Sequence, residues 1–188
     1  MGLSRHSGVF TSLAFLLTAC ASGPDYVPPP LAVSTTSVPQ AASNAAASDD
    51  PYSRAILGAV NRLRADHDIA ALGEDSRLQR AAAVHSADMS MRGFVGDYNP
   101  DAQGPDERVK ALWPDFKGRV GENIAVTESE AAATAGATPE TLAAAIVKQW
   151  TAALNMRKNM RNGAFTLGGI GIARSADKIF VTGVFAAP

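Results

Sequence analysis

In the stretch RVGENIAVTE, residues 119–128, a glutamate stands at the mouth of an apolar run. Gly121 and Asn123 flank Glu122, and Ile124, Ala125 and Val126 follow directly. A carboxylate placed there has two uses. It can serve as a pocket acid or general base, provided the reacting proton comes within hydrogen-bond reach. It can equally fix the loop before a strand by accepting backbone N–H hydrogen bonds. If Glu122 is enclosed without a cation or donors, burial raises its pKa. An enclosed Glu122 therefore calls for a partner, and Arg157 and Asn159 are the side chains expected to supply one. The rest of the chemical inventory is sparse. Cys20 is the only cysteine and no histidine follows His85. No nucleophile and base stand in a legible pair. Seventeen basic and eighteen acidic side chains leave a net charge of -1, so no basic field points to nucleic acid.

The elements that must position Glu122 follow from periodicity. Pro51 to His67 places Ile56, Val60 and Leu63 at helical spacing, with Arg54, Asn61, Arg62 and Arg64 mostly off that stripe. Gly73 closes a connector. From Glu74 a second helical pattern carries Leu78, Ala82, His85 and Met89 on one stripe, and Gly93 is its expected C-cap. On that stripe His85 reads as a hydrogen-bonded core histidine or as a pocket residue. Residues 94–118 form a Gly/Pro/Asp-rich excursion with a short helix at Asp106–Leu112. GRVGENIAVT reads as a short strand, and ESEAAATAGA as a low-complexity loop. Thr138 and Pro139 then mark a helix start. That helix carries Leu142, Ile146, Trp150 and Ala153 on one face, with Trp150 in the core. FTLGGIGIARS and DKIFVTGVFAA, joined through Ser175, Ala176 and Asp177, form a hairpin. No helix follows Gly168, Gly169 and Gly171, so these glycines suit close packing rather than a phosphate loop. The order predicts an α+β fold, an α-β-α sandwich with a small antiparallel sheet between helices.

The N-terminal region has a different character. Arg5 precedes an apolar run through Val9, Phe10, Leu13, Phe15, Leu16 and Leu17, the size of an export-signal core and too short to span a bilayer. Leu17-Thr18-Ala19-Cys20 resembles the lipobox of bacterial lipoproteins. That resemblance implies a signal peptide at 1–19, lipidation of Cys20 and membrane anchoring by two or more acyl chains. Ala21, rather than aspartate, implies sorting to the outer membrane by similarity to enterobacterial lipoproteins. Residues 20–50 are rich in Ala, Ser and Pro and read as a disordered tether. As a flexible coil such a tether spans roughly 30 Å, and in the polyproline form roughly 90 Å. Residues 51–188 then form one domain that has no internal disulfide and must stand on its core alone.

Six blocks occur in order from Ala59 to Ala173: AVNRLRADHDIAAL, AAAVHSADMSMRGF, ERV, VGENIAV, IVKQWTAALNMRKNM and FTLGGIGIA. Together they resemble the CAP superfamily, also called SCP-like, which includes cysteine-rich secretory proteins, insect antigen 5 and plant pathogenesis-related proteins. The resemblance implies an α-β-α sandwich with a cleft. In many members that cleft holds two histidines and one or two acids able to bind a divalent metal. Glu122 matches the acid of the GEN motif. Asp97 stands where a histidine of the pattern Phe-Ser-His-x-x-Pro is usual. Met156 stands where a histidine follows the tryptophan, ahead of Arg157 and Asn159, and Ala153 replaces the second acid. Two imidazoles and a carboxylate suit zinc, whereas Glu, Asp and Met together suit few ions. Zinc is therefore not expected, and a calcium or magnesium site on Glu122 and Asp97 lacks further oxygen donors. No cofactor is expected.

The candidate binding residues are thus Glu122, Asp97, Asn123, Met156, Arg157, Asn159 and His85. Asp97 also reads as a turn former in GDYNP. Asn123, Arg157 and Asn159 also read as loop fasteners, and Met156 as an apolar floor. The leading expectation is a non-catalytic, envelope-anchored binding module for a lipid, a sterol-like molecule, a glycan or a protein. Lipid and sterol ligands enter only through the family resemblance. Two alternatives stand beside it. One is a peptidase-like hydrolase with Glu122 as general base assisted by Asp97. The other is a structural or adhesive envelope protein.

Overall fold

The computed structural model describes residues 50–128, 138–175 and 177–188. The expected signal peptide, the lipidated Cys20, the tether up to residue 49, most of the 128–137 loop and Ala176 lie outside the described residues.

Helix α1 runs Pro51–Ala65. Asp50 caps it, its Oδ1 accepting from the Tyr52 N–H at 3.1 Å, and Pro51 occupies the first turn, where no N–H is needed. A two-residue strand, β1 (Gly73–Glu74), precedes α2, Ser76–Arg92. Asp75 caps α2 by accepting from Arg77 and Leu78, and Gly93 ends it at φ 68°, the left-handed conformation that glycine adopts without a Cβ penalty. The short helix α3 is Pro105–Leu112, with Glu107 Oε2 accepting the Gly104 N–H at 2.9 Å. Strand β2 is Arg119–Glu128 and helix α4 is Pro139–Ala152, capped by Thr138.

Ala153 departs from the expected helical face. It is extended, at φ -87° and ψ 124°, and a separate helix α5, Leu154–Met160, follows it. Arg157 secures this break. Its Nη1 donates to the Thr151 carbonyl at 2.6 Å, supplying a partner near the C-terminus of α4. Strands β3 (Leu167–Arg174) and β4 (Lys178–Ala187) form the hairpin.

The sheet order is β1-β3-β4-β2. β3, β4 and β2 are antiparallel neighbours, with Glu122 opposite Val184 and Ile170 opposite Gly183. β1 adds a parallel edge to β3, so the sheet is mixed rather than purely antiparallel. Strand alternation divides β4 between two layers. Ile179, Val181 and Phe185 pack with Ile56, Val60, Ile146 and Trp150 of α1 and α4. Val184 and Ala186 pack with Leu78, Ala82 and Val109 of α2 and α3. Glycines 169 and 171 let α2 lie against the sheet backbone. A Cβ at Gly171 would stand 2.0 Å from the Ala83 nitrogen, and one at Gly169 2.1 Å from the Gln79 nitrogen.

Candidate functional site

Glu122 projects from β2 towards α2 and α3, and its carboxylate is sealed there, with 1% of the side chain exposed. Arg108 of α3 meets it, Nη2 donating to Oε1 at 2.7 Å. The same guanidinium donates from Nη2 to the Asp97 carbonyl at 2.9 Å and from Nη1 to the Gln103 carbonyl at 2.7 Å. Arg108 thus pins the excursion after α2 to the acid on β2. The expected partner, Arg157, is engaged with Thr151 instead. No spacing rule singles out Arg108. The available hint is that it abuts Val109, the apolar side chain that α3 buries in the core.

His85 of α2 completes the cluster, fully enclosed, with Nε2 2.9 Å from the Gly96 carbonyl and 3.6 Å from Glu122 Oε1. A carbonyl only accepts, so Nε2 carries the proton and Nδ1 is a bare acceptor. His85 Nδ1, Glu122 Oε2 and Arg108 Nε are buried without a hydrogen-bond partner. Burial lowers the His85 pKa to about 4, with the Arg108 charge acting the same way, against the Gly96 bond and the Asp88 charge. The imidazole is therefore neutral at pH 7. Burial raises the Glu122 pKa to about 7. The Arg108 charge and hydrogen bond pull it down, and the Asp97 charge pushes it up. A single charged contact with one oxygen unpartnered does not offset the lost hydration.

The remaining candidates divide. Asn123, fully buried, donates from Nδ2 to the Met156 carbonyl at 3.0 Å. Asn159 Nδ2 lies 2.9 Å from the Glu122 carbonyl and 3.0 Å from Asn123 Oδ1. These amides stitch α5 to β2 beside the acid. The Met156 side chain is partly buried against Ile124 and Phe180. Asp97 is exposed, and it is its backbone carbonyl that enters the cluster. The structure therefore gathers His85 and the Glu122 carboxylate on one side of β2, ties Asn123 and Asn159 to each other and to the Met156 and Glu122 carbonyls, and leaves the carboxylate of Asp97 at the surface.

A divalent metal does not fit this donor set. Arg108 already holds a cationic group against Oε1, and Nε2 of His85 is turned to a carbonyl. Among the described residues no group of three or more His, Cys, Asp or Glu side chains is placed to hold a metal ion. With 1% of its side chain exposed, Glu122 does not present its carboxylate to solvent.

Residues 57–185 match CAP, the cysteine-rich secretory protein family, and the chain belongs to that family. No curated protein matches the chain in sequence. Among solved structures it is similar to an extracellular protein containing a SCP domain from Bacillus anthracis, at 24% identity and a TM-score of 0.57. An outer surface protein from Borrelia burgdorferi is similar at 13% identity and 0.53, and a cysteine-rich secretory protein from Staphylococcus aureus at 12% and 0.51. The likeness covers 73%, 71% and 76% of this chain respectively. It covers 40%, 90% and 41% of the three others, so this chain spans under half the length of the first and third. At these identities the likeness shows the fold. Among the described residues no helix is long and apolar enough to cross a membrane.

Proposed function

We propose that this chain is a lipid-anchored envelope module that binds a partner and does not catalyse a reaction. The observation that carries the reading is the state of Glu122: the carboxylate expected to face a cleft is enclosed and ion-paired with Arg108 at 2.7 Å. Such a group orders the chain around it and cannot meet a substrate without the loop above it moving. The hydrolytic alternative needs Glu122 and Asp97 to converge on one substrate, yet one carboxylate is buried and the other exposed. Support for anchoring comes from Leu17-Thr18-Ala19-Cys20, whose resemblance to a lipobox implies a diacylglyceryl thioether, and from the residue Ala21, which favours the outer membrane.

Mass spectrometry of the full chain recovered from a bacterial envelope tests the anchor, and a peptide-hydrolysis assay on the same material tests the chemistry. The expected results are a chain beginning at a diacylated Cys20 and no turnover. An unmodified Cys20 in the envelope-recovered chain would remove the anchor. Hydrolysis that disappears on Glu122→Gln would replace the binding reading with the enzymatic one.

A further inference from the structure

Asn162 and Gly163 stand in the turn between α5 and β3 and are the only Asn-Gly pair in the chain. The other described asparagines are held differently. Asn61, Asn155 and Asn159 lie in helices and Asn123 in a strand, and Asn99 precedes Pro100, which has no N–H. Gly163 is exposed, and a Cβ there would meet nothing within 4 Å. Among the described residues nothing accepts from its N–H. Its nitrogen is therefore uncommitted, and the carboxamide of Asn162 is the nearest electrophilic side chain along the backbone.

Donors act on this pair at both of its carbonyls. The main-chain carbonyl of Asn162 accepts from Arg64 Nη1 at 3.0 Å and from the Phe165 N–H at 3.1 Å. Arg64 is fully buried, and its guanidinium has only carbonyls for partners. A cation on the oxygen of the 162–163 peptide makes the Gly163 N–H more acidic, because the charge left on deprotonation spreads to that oxygen. The side-chain Oδ1 of Asn162 accepts from the Ala164 N–H at 3.0 Å. That bond folds the carboxamide forward along the turn and polarises Cγ towards attack.

We infer that Asn162 is a site of self-modification, at which the Gly163 nitrogen converts the carboxamide to an acid with Arg64 as the activating donor. Hydroxide removes the Gly163 proton, and the nitrogen bonds to Asn162 Cγ. The Cγ–Nδ2 bond then breaks, and ammonia leaves on a proton from water, which restores the hydroxide. Water opens one of the two carbonyls of the resulting cyclic imide. Overall one water is consumed and one ammonia released. Arg64 and the Phe165 N–H hold the imide carbonyl that comes from the main chain, so attack there is favoured. The product is isoaspartate, in which the backbone runs through the former side chain. Its new carboxylate stands against Arg64, which gains an anionic partner. Neither the anchor nor the state of Glu122 bears on this site.

Peptide mapping by mass spectrometry tests it, on the full chain incubated in detergent at mildly alkaline pH with and without urea. Electron-transfer fragmentation distinguishes isoaspartate from aspartate. Asn162 should convert before any other asparagine, mainly to isoaspartate, and at least as fast in the folded chain as in urea. Gly163→Ala should slow conversion in both states, because a Cβ crowds the attacking nitrogen. Arg64→Met, assayed where circular dichroism shows it folded, should slow conversion by about tenfold and lower the isoaspartate share. In urea it should match the parent. If Arg64→Met does not fold, the parent's ratio of folded to urea rates decides alone. An unaltered Asn162 in the folded chain, faster conversion in urea, a product that is mainly aspartate, or a folded Arg64→Met with the parent's rate each overturns the inference.

Discussion

Arg64 and Arg108 both bring a guanidinium into the interior, one from α1 and the other from α3, and their partners differ in kind. Arg64 is fully buried and meets only backbone. Nε donates to the Ala70 carbonyl at 2.7 Å, Nη1 to Met160 and Asn162 at 2.9 and 3.0 Å, and Nη2 to Phe165 at 2.9 Å. Arg108 meets two carbonyls and one carboxylate, and its Nε is left unpartnered. A cation among carbonyls keeps its partners whatever the pH and whatever the neighbouring side chains. A cation on a buried acid depends on that acid's charge. The first arrangement is scaffold, and the second is conditional.

Arg64→Met gives the largest expected effect. Met160 ends α5 and Asn162 lies just beyond it, Phe165 leads into β3, and Ala70 lies after α1, so one side chain ties three segments. Truncation removes a charged donor from four carbonyls, of which Asn162 keeps the Phe165 N–H, and hydrogen bonds to a charged group are each worth about 1.5–3 kcal/mol. A loss of about 3–5 kcal/mol is expected, read as a fall in the urea midpoint. Because the partners are main-chain atoms, no second side-chain substitution should restore it. A variant within about 1 kcal/mol of the parent would show that water replaces the guanidinium, and the contrast with Arg108 would weaken.

Arg108→Met removes the cation from Glu122 and leaves the acid buried beside two carbonyls without their donor. About 2–4 kcal/mol is expected, somewhat below the Arg64 loss because Glu122 can take up a proton. The sharper measurement is the double variant Arg108→Met with Glu122→Leu. Replacing both members of a buried pair by apolar groups is often close to neutral, so the double variant should recover at least half of the single loss. No recovery would mean that Arg108 acts through the Asp97 and Gln103 carbonyls, and that both arginines are scaffold of the same kind.

This difference explains what the sequence reveals. Apolar stripes, the caps Asp50, Thr138 and Gly93, and the Gly-punctuated hairpin are local signals, and the sandwich follows from them. The ordered blocks around GEN locate the acid. Arg64 is silent because three of its four carbonyl partners lie 96, 98 and 101 residues away along the chain, and a carbonyl has no residue type to recognise. By spacing it reads as part of a polar helix face, yet it is enclosed. Arg108 lies 14 residues before Glu122, across a turn-rich excursion whose path no period predicts. β1 escapes because two residues cannot display an alternation. The break at Ala153 escapes because the pattern of α4 continues through a residue of high helix propensity. Placing Asp97 in the cleft by the family pattern locates its backbone, whereas the turn geometry sends its carboxylate outward.

The smallest effect is a pair of opposed pH slopes around the conditional arginine. The Glu122 pKa is raised from 4.5 to about 7 on folding, chiefly by burial. Between those values the folded state holds more of this proton than the unfolded one. Its contribution is present below about pH 4.5 and is lost as pH rises towards 7. The His85 pKa is lowered from 6.5 to about 4, again chiefly by burial. Between those values the folded state holds less of this proton, so its contribution grows as pH rises and is lost on acidification. From about pH 4.5 to 6.5 the two slopes oppose one another, and their net contribution to the parent profile is nearly flat. Glu122→Gln should expose the histidine, making the variant more stable relative to the parent as pH rises through this window. His85→Gln should expose the acid and do the reverse. Each relative change should be on the order of 1–2 kcal/mol over two pH units, since one proton shifts stability by at most about 1.4 kcal/mol per unit. Urea titrations at three pH values measure it. Slopes of the same sign in both variants would show that the proton is shared across the Glu122–His85 contact rather than held by each group separately. The same slopes in an Arg64→Met background, shifted down but unchanged in shape, would show that the pH response belongs to Glu122 and His85 beside Arg108 and not to the Arg64 scaffold.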